Sequence, residues 1–317
     1  MPTARLSRAI LWTLLIAAIL MPTAGCGGTK KKGRKGGLTV KEQLTRAEKE
    51  TNPDRSAAAY LRVARSQMVA GDKTGAKDSA RMAFDKLSGD GDAGLFAQRL
   101  LEVAACYVEM GDKKLARDAV KRSVELAGKV EDPVRKTKVL ADAGGFSGDK
   151  LKGLGDATAA KEMLAAAAAA AEAVEPRFQA EALAAVALGY ARGGLAEAAS
   201  EMVGKLEQAA KAIEEPRAKA EALAAAANVK AQGGKADEAK ELLSQAAAAA
   251  KSVERSESRA YALLAVATAS AAAGDTKAAV ALLKEADKAA DKVPEGDTKK
   301  TIVERVRAMQ STLEKKK

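Results

Sequence analysis

From about position 51 onward, apolar residues recur every three or four positions, the spacing that lays them along one side of an α-helix. The pattern also repeats at a longer interval. VEPRFQAEALAAVALGYARGG (Val174 to Gly194) aligns with EEPRAKAEALAAAANVKAQGG (Glu214 to Gly234) at an offset of 40. A second shift of 40 brings VERSESRAYALLAVATASAAAG (Val253 to Gly274) into register, with Leu183, Leu223 and Leu263 equivalent and Gly194, Gly234 and Gly274 equivalent. The earlier half keeps the frame with more divergence: Tyr60 and Leu100 take the leucine position, ahead of Gly71 and Gly111. Six units are predicted, at 51–90, 91–130, 131–173, 174–213, 214–252 and 253–293, followed by a polar-faced helix over Lys299–Leu313. A period of this size predicts an all-α solenoid of antiparallel helix pairs.

Within a unit, each punctuating residue has a local role. Pro53, Pro133, Pro176 and Pro216 stand seven residues before the leucine position, where a first helix begins and a missing N–H costs nothing. Asn52 and Asp132 precede two of them as caps. The glycine supplies the left-handed residue that ends the helix, and Asp72, Asp112, Asp156 or Asp275 follows in a tight turn. In the second helix small residues stand five and twelve positions after the glycine: Ala76 and Ala83, Ala116 and Ser123, Ala160 and Ala167, Ala239 and Ala246, Ala279 and Ala286. Seven residues are nearly two turns, so each pair shares a face and admits a neighbouring helix closely. The fourth unit keeps Ala199 but has Leu206, which predicts a wider contact there.

The glycine-acid turn and alanine spacing over 51–293 resemble tetratricopeptide repeats, although the period is 40 where that family has 34 and the early aromatic is usually leucine. A HEAT-like array also has periods near 40; the turn and the alanines favour the tetratricopeptide-like alternative. The resemblance implies a concave surface built from the first helices that binds extended peptides or partner helices. It points to Arg65, Gln98, Glu109, Glu181, Arg192, Glu221, Asn228 and Tyr261 as groove residues. Asn228 alone does not make a carboxylate clamp.

Composition narrows the chemistry. With four Phe, four Tyr and one Trp in 317 residues, and alanine dominating the apolar fraction, a core of bulky aromatics is excluded and close helix packing is favoured. The net charge of +11 suggests nucleic acid until its location is considered. Ten of the 53 basic residues lie at the ends: Arg5, Arg8, Lys30, Lys31, Lys32, Arg34, Lys35 and Lys315 to Lys317. The body keeps 43 against 42 acids and has no field to hold a phosphate backbone, so no nucleic-acid partner is expected. There is no histidine, and the only cysteines are Cys26 and Cys106. A Cys/His zinc site lacks ligands and a Ser or Cys nucleophile lacks its base. The expectation is therefore no catalytic residue, no metal, no cofactor and no small-molecule substrate.

At the amino terminus, Arg5 and Arg8 precede a thirteen-residue apolar run, Ala9 to Met21, which fits an export signal and falls short of the roughly 20 residues that span a bilayer. Pro22-Thr23-Ala24-Gly25-Cys26 then resembles the lipobox of bacterial lipoproteins, with Thr23 where that family most often has leucine. The resemblance implies a signal peptide over 1–25, a diacylglyceryl group on Cys26, and a membrane-anchored protein of the bacterial envelope facing the periplasm or exterior. Ordinary cleavage after Ala24, or an uncleaved anchor, are the alternatives. Residues 26–50 follow as a basic Gly/Lys tether, either attracted to an anionic membrane or serving as a soluble spacer.

Two internal features need weighing. Between Leu140 and Gly155 the third unit is four residues longer (ADAGGFSGDKLKGLG over 141–155), yet Gly148-Asp149-Lys150-Leu151 lacks the Gly-Lys-Ser/Thr of a phosphate loop. A bulge, or a break between two three-unit halves, is the expectation. Cys106, among small residues of a first helix, reads as a buried inert thiol. Three functions emerge: a non-catalytic, lipid-anchored scaffold acting by protein–protein recognition, a structural or self-associating envelope spacer, and a cytosolic nucleic-acid adaptor should the lipobox fail. The domain scheme is 1–25 signal, 26–50 tether, 51–293 repeats, and 294–317 capping helix with basic tail.

Overall fold

The computed structural model describes residues 38–314, which are helical with no strand. A short helix, α1 (Val40–Lys49), leads into six hairpins. These pair α2 (Pro53–Val69) with α3 (Lys73–Lys86), α4 (Ala93–Glu109) with α5 (Lys113–Ala127), and α6 (Pro133–Gly148) with α7 (Ala157–Glu172). They continue with α8 (Pro176–Arg192) and α9 (Ala196–Lys211), α10 (Pro216–Gln232) and α11 (Ala236–Ser252), and α12 (Ser256–Ala272) and α13 (Thr276–Asp291), before a final helix α14 (Asp297–Glu314). Successive first helices pack on one another along the array, while the second helices pack mainly on first helices. The molecule is thus an α-solenoid whose inner layer is α2, α4, α6, α8, α10 and α12.

The glycine turns form as the spacing predicts. Gly71, Gly111, Gly155, Gly194, Gly234 and Gly274 all have φ between 70° and 85°, a left-handed conformation in which a Cβ is strained. Around five of them the chain closes a Schellman motif: the residue after glycine donates its N–H to the carbonyl five positions back, as Asp72 to Gln67 and Lys235 to Lys230, both near 3.0 Å. The aspartates in these turns do more than turn the chain. Asp72, Asp112, Asp156 and Asp275 accept the N–H of the third residue ahead at 2.8–3.1 Å and so cap the second helix.

The alanine seams are closed to solvent. Ala76, Ala83, Ala116, Ala160, Ala167, Ala239, Ala246, Ala279 and Ala286 are fully buried, and Ala199 is nearly so. Ser123, the exception in kind, donates its hydroxyl to the Ala97 carbonyl at 2.8 Å, which satisfies a polar atom inside the seam. Leu206 in the fourth unit is also fully buried. Beside it, Ala168, Leu183, Met202 and Ala209 line a cleft of about 300 Å³ with Glu172 and Lys205 at its rim.

One expectation is corrected and one alternative is decided. Residues assigned to the tether include α1, which begins on a reciprocal capping box: Thr39 accepts the Glu42 N–H at 3.3 Å and Glu42 accepts the Thr39 N–H at 2.7 Å. This helix packs on α2, burying Ala47, whose carbonyl receives the Ser56 hydroxyl at 2.8 Å. It thereby takes the place of a second helix from a preceding unit. Of the two accounts of the 141–155 stretch, the bulge holds and the break does not. The Asp156 N–H bonds the Ser147 carbonyl at 2.7 Å, nine residues back where other units have five, so the four extra residues loop out and register is kept on both sides.

At that point the first helices of units three and four come closest. A Cβ on Gly148 would lie 2.5 Å from the Gly193 carbonyl oxygen, and one on Gly189 would lie 2.7 Å from that of Ala141. Backbone therefore packs on backbone between α6 and α8, an approach that only glycine permits.

Candidate functional site

The inner layer offers the surface on which side chains converge. All eight predicted groove residues lie on its helices, and none is fully buried. The structure brings them together unequally. Arg65 of α2 and Glu109 of α4 both act electrostatically on Cys106, whereas Gln98 of α4 projects into solvent. Cys106 itself is 1% exposed, and burial pushes its thiol up to about 11, which removes the thiolate needed for nucleophilic or redox chemistry.

The centre of the layer is denser. The close glycine crossing carries charges from α6 and α8 into one cluster: Lys138 pairs with Glu181, and Arg192 lies 3.8 Å from Asp149. Between these pairs sits Asp142 of α6. Its carboxylate reaches solvent, but flanking protein desolvates it and pushes its pKa up, against the pull of Arg192 and Lys138. Lys138, Asp142 and Asp149 were not among the residues picked from sequence. The repeat frame carries a signal for Lys138, which stands at the same position as Glu181, Glu221 and Tyr261, whereas Asp142 stands where the later units have alanine.

The carboxyl-terminal end is built around Tyr261 of α12. The Arg217 guanidinium of α10 lies 5.6 Å from its ring centre and that of Arg305, from α14, lies 6.0 Å away. Arg217 also bonds Glu221 at 2.9 Å. Asn228, nearly two turns beyond Glu221 along α10, accepts from the Gln232 amide at 3.3 Å. Between these polar rows the floor in the last three units is alanine, at Ala185, Ala225 and Ala265.

No protein-family model matches this chain, and no curated protein does. Solved structures similar to it are helical. PilF of Pseudomonas aeruginosa aligns at a TM-score of 0.34 and 14% identity, covering 82% of this chain and 99% of its own. PilW, a type IV pilus biogenesis factor, gives 0.34 and 15%, covering 78% and 98%. A Rap protein complexed with competence and sporulation factor gives 0.36 and 15%, covering 86% and 80%. Similarity at this level carries nothing about individual residues or partners.

Among the described residues, no helix is long and apolar enough to cross a membrane, and no group of three or more acidic or thiol side chains is arranged to hold a metal ion. Cys26, the predicted lipidation site, lies outside the described residues.

Proposed function

We propose that this protein is a non-catalytic scaffold, anchored in a bacterial envelope membrane through lipid on Cys26, that recognises an extended segment of a protein partner on its inner helical layer. The observation that carries the reading is the register of the polar side chains. Lys138, Glu181, Glu221 and Tyr261 occupy one frame position of successive first helices, solvent-accessible, while the residues on either side of each are buried: Thr137 and Val139 beside Lys138, and alanines beside the other three. A row of this kind runs across the repeats, as a ligand in extended conformation would. The anchor rests on the order of basic flank, short apolar run and Ala24-Gly25-Cys26, and two or more acyl chains would hold the protein where one would not.

Two measurements test the two parts. Mass spectrometry of the mature amino terminus from native membranes is expected to find acylated Cys26; an unmodified chain starting at Gly25 sinks the anchor. Crosslinking in intact cells from residues 181, 221 and 261, followed by recovery of adducts, is expected to trap one protein species through its extended segment. Adducts only between copies of this chain would favour the spacer reading instead.

A further inference from the structure

The central cluster of the inner layer is out of balance. Lys138 is engaged with Glu181 and Arg192 faces Asp149, so of these three acids and two bases the one without a hydrogen bond or ion pair among the described residues is Asp142. The neighbouring helix α4 brings no spare cation, because Arg99 is held by Asp54 at 2.9 Å and by Glu102 at 2.8 Å. Asp142 is open to solvent, so an incoming group can reach it, while the protein around it pushes its pKa up and disfavours the ionised form in the free molecule. The backbone-on-backbone crossing of α6 and α8 brings the two flanking pairs, each made between these helices or their ends, to one place on the inner layer.

From this geometry we infer that Asp142 is the subsite for a cationic side chain, lysine or arginine, of the protein segment that occupies the inner layer. The inference rests on the peptide-binding reading above and specifies the ligand's chemistry. An incoming ammonium or guanidinium completes the charge balance of five groups with a sixth. The Lys138–Glu181 and Arg192–Asp149 pairs stand on either side of it and define the slot. Glu181 and Asp149 supply further acceptors at the slot's edges. An acidic side chain would face the same carboxylate and is excluded by repulsion.

The test uses a display library of short linear peptides panned against the purified full chain, with selected peptides measured in solution. Enrichment of lysine or arginine at one position is expected, with alanine there weakening binding about tenfold. Asp142→Asn should weaken the cationic peptide by about the same factor and leave the alanine peptide unchanged, whereas Asp142→Glu should keep the preference. A melting curve of Asp142→Asn matching the parent shows that the fold is intact. Captured peptides without a cationic preference, or with one that Asp142→Asn leaves in place, would overturn the inference while sparing the groove. Failure to capture any peptide would remove the groove reading, and this inference with it.

Discussion

The first three units and the last three reach the same hairpin by different means. In units one to three every helix starts on an Asn or Asp whose side chain accepts a backbone N–H: Asn52, Asp72, Asp92, Asp112, Asp132 and Asp156. In units four to six only Asp275 and Glu215 do so, and Leu195, Lys235 and Arg255 stand at cap positions with no side-chain bond. The later units bury mainly alanine, leucine and valine, with Tyr190 as their buried aromatic, while the earlier ones bury Tyr60, Phe96, Tyr107 and Phe146. Local hydrogen bonding thus defines the helices where the packing varies, and uniform packing defines them where caps are missing. Each half has what the other lacks, and the glycine crossing of α6 and α8 joins them.

The largest effect expected is at that joint. Gly148→Ala would place a methyl 2.5 Å from the Gly193 carbonyl oxygen and 2.7 Å from its Cα. Neither partner is the end of a flexible side chain, so the helices must separate, at a cost of about 2–3 kcal/mol. The same frame position in unit five is Ala231, and Ala231→Gly should cost only about 1 kcal/mol, from helix propensity. Denaturant unfolding of the two variants compares them directly. Near-equal losses would mean that the joint is no tighter than other junctions.

A second difference appears at alkaline pH. Cys106 and Tyr107 are buried side by side in α4, and burial pushes them up to about 11 and about 12. Their folded pKa values lie above the unfolded ones, so the neutral forms stabilise the fold fully below the unfolded pKa, and that stability drains as pH rises through the folded value. For the thiol, a rise from 9.0 to about 11 amounts to roughly 2–3 kcal/mol between those limits. The positions equivalent to Cys106 in units five and six are Val229 and Ala269, which do not titrate. Hydrogen exchange with rising pH should therefore loosen α4 before α10 and α12, and Cys106→Ala should flatten the loss. Simultaneous loosening of all three would contradict the assignment.

Much of this contrast is legible in the sequence, because it is made by residues that act on their own backbone. Gly71 needs only its turn, Pro176 only its first helical position, and Asp72 only the amide three residues on. What is not legible depends on distant parts meeting. Gly148 reads as a helix breaker until Gly193 is placed against it, and Asp142 reads as one exposed acid among many until α8 brings Arg192 beside it and Glu181 to Lys138. The helix α1 lies between these cases. Thr39 and Glu42 spell out its capping box, but the glycine and lysine tract before it obscures the signal, and its one buried residue, Ala47, leaves almost no periodicity.

The cap difference gives a smaller, two-sided prediction. Asp275→Ala removes the bond to the Ala278 N–H and should cost about 1 kcal/mol. Lys235→Asn, at the equivalent place in unit five, should gain about 0.5–1 kcal/mol, because it supplies an acceptor to a helix start that has none. Opposite signs in thermal unfolding at one frame position would show that the later units fold without their caps and do not hide an equivalent bond elsewhere.

The smallest effect is the one that bears on function. The place held by Asp142 in unit three is alanine in units four to six, at Ala185, Ala225 and Ala265, so the fold has no need of a carboxylate there. The folded pKa of Asp142 is raised, so its contribution favours the fold at low pH and is lost as pH rises through that value; near neutrality the ionised group is a mild burden. Asp142→Asn should therefore leave the melting temperature unchanged or slightly higher, within about 0.5 kcal/mol. A clear loss of stability would mean that Asp142 holds α6 in place and is there for the fold. An unchanged or higher stability would mark it as a residue whose cost is offset only when something positively charged is bound.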